Sequence, residues 1–121
     1  MTEARVISIK NSSVTPEVLA SLPGKIKVSA LVQTNADVGA DKVQLRASIL
    51  TTGFVFQRGG TVATIPMKRL GSRLFQGSEV LDVVRSASSQ HRFFEIIVQA
   101  DRLSNNIVVE TSSPRPDSVA V

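Results

Sequence analysis

Two neighbouring stretches of the sequence alternate apolar and polar residues, and this pattern constrains the fold more than any other feature. In residues 26–34 the apolar side chains recur at every second position, and after a polar segment the alternation resumes over residues 43–49. A period of two is typical of a strand with one buried face. We therefore expect these two stretches to form an antiparallel hairpin, with Val28 and Leu45 in the core.

The segments on either side of this hairpin predict further short elements. Residues 5–10 have strand composition, and Thr15 before Pro16 is a helix-start signal that predicts one helical turn over residues 15–20. Residues 54–57 and 61–65 read as a second hairpin, because Gly59 and Gly60 can supply the positive φ of a tight turn. Pro66 cannot donate to a ladder, so we expect it at a strand end or an edge.

The region after Pro66 is harder to interpret. Residues 67–77 are basic and interrupted by glycine, which predicts a loop or a broken strand. Residues 78–103 fit both a strand period and a helical spacing, and we expect a short helix or strand over 78–86, then a turn and a strand over 91–101. A turn at 102–106 leads to a final strand at 107–111.

Seven or eight short strands at this spacing predict an all-β, mostly antiparallel sandwich or barrel. With 121 residues and 42% hydrophobic content, the chain can bury one core. We expect a single domain over residues 1–112 and a C-terminal tail at 113–121, whose composition is that of a linker. Because Pro114 and Pro116 are expected to prevent regular ladder pairing, we expect the tail to contact a neighbouring subunit.

The last predicted hairpin carries a resemblance. Asp101, Asn105, Asn106 and then Val108 and Glu110 resemble the final hairpin of bacterial immunoglobulin-like modules of the adhesion type, which carries an Asp, an Asn and a Val-x-Glu. The resemblance spans about residues 5–112. It departs from the family in lacking the aromatic core residue of the third strand and in having a long basic segment. It implies an immunoglobulin-like β-sandwich of seven or eight strands with at most one or two short helical turns.

Chemical motifs are sparse. His91 is the only histidine, cysteine is absent, and no Gly-x-Ser-x-Gly sequence is present. The side-chain oxygens of Asn35, Asp37 and Asp41, at alternate positions with Gly39 between the last two, are compatible with a calcium loop. However, Arg46 stands where the bidentate Glu belongs, and turn chemistry explains the same residues. We predict no catalytic residue, cofactor, metal or small-molecule substrate. No apolar run approaches the roughly 18 residues of a membrane span, so we expect a soluble chain.

Basic residues concentrate in the middle of the chain. Residues 54–92 hold six basic and two acidic side chains, whereas residues 93–121 hold two basic and four acidic ones, among them Asp101, Glu110 and Asp117. The six cations form a candidate surface for a partner or for a polyanion such as nucleic acid, and the alternative is a solvated face. These residues are Arg58, Lys68, Arg69, Arg73, Arg85 and Arg92.

These observations favour a non-enzymatic structural protein that self-associates through sheet edges and termini, such as a virion coat or decoration protein. The first alternative is an immunoglobulin-like module of a bacterial surface or adhesion protein. The second is a nucleic-acid-binding protein that uses the basic segment 58–92. We expect homo-oligomers or assembly partners, and a virion or cell-surface location rather than an enzymatic role in the cytoplasm.

Overall fold

The computed structural model describes residues 7–18, 24–57, 59–86 and 91–120, and these form strands without any helix. The predicted all-β class is confirmed, with more strands than expected. The ten strands are β1 Ile7–Val18, β2 Gly24–Thr34, β3 Lys42–Ile49, β4 Phe54–Phe56, β5 Val62–Pro66, β6 Lys68–Arg69, β7 Leu74–Arg85, β8 Phe93–Ser104, β9 Ile107–Thr111 and β10 Arg115–Ala120.

The strands form two antiparallel sheets that share one core. The first sheet has the order β1-β2-β7-β4, with β6 also paired to β7, and the second has the order β10-β8-β3-β5, with β9 also paired to β8. Buried side chains from both sheets belong to one apolar cluster, in which the rings of Phe54 and Phe94 lie 5.0 Å apart between centroids. This arrangement is consistent with a β-sandwich.

The two alternating stretches are strands with the predicted buried faces, but the prediction that they pair as a hairpin is wrong. Ile26, Val28, Leu45 and Ile49 are buried as expected. However, β2 lies in the first sheet and β3 in the second, so the polar segment 35–41 crosses between layers. Crossing lets each strand bury its apolar face against the other, whereas a hairpin would place both strands in one sheet and leave the opposite layer to other strands.

The prediction of a second hairpin is also wrong, because β4 belongs to the first sheet and β5 to the second. The glycine prediction is confirmed, because Gly59 and Gly60 have φ of 86° and 98° and the Phe56 amide donates to the Gly60 carbonyl. Pro66 ends β5, an edge strand, as predicted.

Two helical interpretations are overturned. Thr15 and Pro16 lie within β1, paired with Lys27 and Ile26 of β2, so the predicted helical turn is wrong as far as Val18, and positions 19 and 20 lie outside the described residues. Residues 78–85 belong to β7 and 93–103 to β8, which confirms the strand option for both segments. The turn predicted at 102–106 is shorter, because β8 continues to Ser104.

The segment expected to be a tail carries a strand of the second sheet. β10 pairs with Phe93–Val98 of β8, and Val119 is buried in the core. Pro116 lies opposite Ile97 on this edge strand, where its nitrogen faces away from β8, so the missing N–H removes no ladder bond. The expectation that prolines exclude this segment from regular pairing is therefore wrong.

The β8–β9 hairpin turns through Asn105 and Asn106, which both have positive φ, at 53° and 63°. Asparagine tolerates this left-handed conformation better than other residues that carry a Cβ. We expect Asn106→Ala to lower the free energy of unfolding by about 1 kcal/mol, whereas Asn106→Gly should keep or raise it. Urea unfolding of the two variants checks this, and an equal loss in both would show that the Asn106 side chain matters rather than its φ.

Candidate interaction surfaces

The structure divides the predicted basic surface into two groups. Lys68 and Arg69 form β6 beside Phe75 and Gln76 of β7, and the Arg73 carbonyl accepts from the Thr34 amide at the same end. Arg85 ends β7, roughly 30 Å away along the strand. Its guanidinium donates to the His91 carbonyl, which places Arg92 at that second end, and Arg58 lies outside the described residues.

Within the first group, Arg69 is already engaged inside the molecule. Its Nη2 donates to the carbonyls of Gly39 and Asp41 at 2.7 and 3.0 Å, and its guanidinium lies 4.8 Å from the centre of the Phe75 ring. These contacts fasten the interlayer segment 35–41 to β6. Of the predicted cations at this end, Lys68 and Arg73 are both exposed and are left to meet a partner.

The acidic residues near the C-terminus are also largely paired. Asp101 is buried on the outer face of the second sheet, where Arg46, Gln44 and Thr111 surround its carboxylate at 2.9–3.3 Å. Glu110 is paired with Arg102, so Asp117 is the exposed member of the acidic set that the sequence predicted.

Arg102 lies on the inner face, at the end of the core. Its Nη1 donates to Asp41, and its Nη2 donates to Glu110 Oε1 at 2.7 Å. The hydrogen bond to Glu110, and then the one to Asp41, raises the pKa of Arg102 above its usual value despite its burial. This ion network therefore ties the interlayer segment to β8 and β9, and the sequence, which placed Arg102 in a turn, did not predict it.

Two acidic residues of the interlayer segment 35–41 have partners within the molecule. Asp37 Oδ1 accepts from the Gly39 amide at 2.8 Å, and the Asp41 carboxylate binds Arg102. In the part of the chain that the structure describes, no three His, Asp or Glu side chains are grouped to hold a metal ion. No helix in these same residues is long and apolar enough to cross a membrane.

Sequence reasoning missed an exposed aliphatic edge at β9. Ile107, Val108 and Val109 are 66%, 48% and 46% exposed, and β9 pairs with β8 on one side, with no described strand on the other. Three successive aliphatic residues in one short strand cannot all face a core, because neighbouring side chains point to opposite faces. This run of three aliphatic residues was therefore the sequence signal for an exposed aliphatic strand.

A cleft of about 580 Å³ lies on the opposite side of the molecule, between β5 of the second sheet and β7 of the first. Its described lining includes Phe56, Ala63 and Leu81, together with Glu79. No motif in the sequence indicated this cleft, because its two walls come from strands of different sheets.

Comparison with known proteins adds no assignment to these surfaces. The sequence matches no protein-family model, and it matches no curated protein.

Proposed function

We propose that the protein is a non-enzymatic structural module that self-associates through the β9 edge of its second sheet. The observation that carries the proposal is the exposed aliphatic run Ile107–Val109 on this edge. Strand edges are commonly blunted by charged residues or proline, because their free N–H and C=O groups pair readily with other chains. From Ile107 to Val109 the edge has neither charge nor proline, and its one irregularity is the bulge at Val109 in the ladder with β8.

The nearest charge also fails to protect β9. Glu110 is turned toward the core, where its carboxylate accepts from Arg102. Val108 lies opposite Leu103, a residue whose backbone faces β3, so the amide and carbonyl of Val108 face away from β8. A second β9 could therefore add in antiparallel fashion about a two-fold axis, and would cover the aliphatic side chains of both copies.

One biological setting for this proposal is a coat or decoration protein of a virion, which would form a large closed or fibrous assembly. Such an assembly needs contacts beyond a single two-fold pair. Polyanion binding is less well supported, since the candidate cations are divided between two ends of β7.

As the alternative, we propose an immunoglobulin-like module of a bacterial surface or adhesion protein. The strand order supports it, because β1, β2, β7 and β6 occupy one sheet and β10, β8, β3 and β5 the other. An immunoglobulin sandwich likewise places its first, second, fifth and fourth strands opposite its seventh, sixth and third. The short β4 is an additional element that pairs with the end of β7.

Substituting the β9 edge tests self-association. We expect Val108→Lys to weaken it at least tenfold, because each copy in a two-fold pair would bring a charge into the apolar contact. Size-exclusion chromatography with light scattering gives the mass. Leu70→Lys is the matched control, since Leu70 is a similarly exposed aliphatic residue outside β9. A monomeric unmodified protein at about 100 μM, well above the roughly micromolar Kd of a specific pair, would contradict the proposal.

A further inference from the structure

A segment of β7 is open on one side, in the middle of the first sheet. On the side away from β2, β6 covers Phe75 and Gln76, and β4 covers Val83 to Arg85. Between them, no described strand pairs with residues 77–82 on that side. At about 3.3 Å per residue this gap is roughly 17 Å long, which is the length of a strand of about five residues.

The backbone groups in the gap are directed outward. The Gln57 amide donates to the Asp82 carbonyl at 2.9 Å, so Asp82 faces away from β2. Because backbone direction alternates along an antiparallel strand, Val80 and Ser78 face the same way. Their two amides and two carbonyls meet no backbone partner among the described residues, and they are ready to pair with an added strand.

The opposite wall of the cleft is a second free edge. The Ile49 amide donates to the Thr61 carbonyl at 2.8 Å, so Thr61 faces β3, and alternation turns Val62 and Thr64 toward the open side. At the β6 end of the gap the Met67 side chain packs on Gly77, where an added Cβ would lie 3.1 Å from Met67 Cγ. Gln57 closes the other end at Asp82.

The interior of the cleft combines apolar surface with the carboxylate of Glu79. Glu79 has the same parity as the buried Phe75 and Val83, so its side chain lies on the inner face of the sheet, beside Leu81. Glu79 has neither an ion pair nor a hydrogen bond through its side chain with any described residue. Asp82, the other described acid of the lining, is bound by Lys25 at 2.7 Å.

We propose that this cleft binds an extended segment of a partner protein as an added strand, with a cationic side chain of that segment paired to Glu79. Strand addition supplies the backbone contacts, and alternate side chains supply the specificity. If the segment runs antiparallel to β7, as β4 and β6 do, an apolar side chain meets Leu81 and a cation two residues later meets Glu79. This inference does not depend on self-association through β9.

The test uses an acetylated and amidated pentapeptide, Thr-Val-Thr-Lys-Thr, added to the ¹⁵N-labelled full chain and followed by NMR. The Val108→Lys variant serves as the background, so that assembly through β9 cannot affect the result. We expect saturable shifts at the amides of Ser78, Val80, Val62 and Thr64, with a Kd between about 10 μM and 1 mM for so short a ligand. An absence of shifts at these amides at several millimolar would overturn the proposal.

Two changes separate the contributions of the backbone and the charge. Methylating alternate peptide nitrogens should abolish binding, because it removes the ladder donors. Glu79→Gln should weaken binding about threefold to fivefold, which is the effect of a partly exposed ion pair, while Glu95→Gln on the second sheet should leave it unchanged. Equal binding of the methylated peptide, or of a peptide with Glu in place of Lys, would overturn the proposal.

Discussion

Phe94→Ala should lower the free energy of unfolding by about 3–5 kcal/mol, through lost burial and the cavity that it leaves. Phe94 is fully buried and packs against Phe54 from the opposite sheet, with the two rings tilted by 33°. The side chain thus joins the two layers as well as filling the core. Denaturant unfolding followed by circular dichroism measures the change.

The adjacent residue provides the control for Phe94. Phe93 is 51% exposed, so Phe93→Ala should change the free energy of unfolding by no more than about 0.5 kcal/mol. Phe94→Leu, which keeps most of the volume, should cost about 1–2 kcal/mol and remain folded if the alanine variant does not. Similar losses at positions 93 and 94 would show that the assigned faces of β8 are wrong.

The strands over residues 26–34 and 43–49 and their buried faces were predictable from the sequence, because a period of two records which side of a strand meets the core. The sheet to which each strand belongs was not predictable in this way. Residues 26–34 and 43–49 would show the same alternation in one hairpin or in two facing layers, and the choice depends on contacts with β7 and β8, which lie 50 residues or so further along the chain.

The charged residues show the same limit of prediction from the sequence. The sequence gives the sign of each side chain but not its partner, so Asp101 and Glu110 read as a free acidic end although Arg46 and Arg102 bind them. The prolines near the C-terminus were misleading for a related reason. Pro116 is incompatible with a central strand and compatible with an edge strand, and its position in the sheet is fixed by distant residues.

Arg102→Met should lower the free energy of unfolding by about 3–5 kcal/mol, because it leaves the carboxylates of Asp41 and Glu110 together without a cation at the end of the core. The side chain of Arg102 is 10% exposed and those of its two partners are 19% exposed, so water can compensate only in part. Arg85→Met, at an exposed arginine, is the matched control and should cost less than about 0.5 kcal/mol.

A triple variant separates the loss of the cation from the cost of the stranded carboxylates. Adding Asp41→Asn and Glu110→Gln to Arg102→Met removes both partly buried negative charges, and should recover at least about 1 kcal/mol of the loss. Urea unfolding of all four proteins at one ionic strength gives the comparison. If Arg102→Met alone costs less than about 1 kcal/mol, or if the triple variant is less stable than the single one, the ion network does not hold β8 and β9 to the interlayer segment.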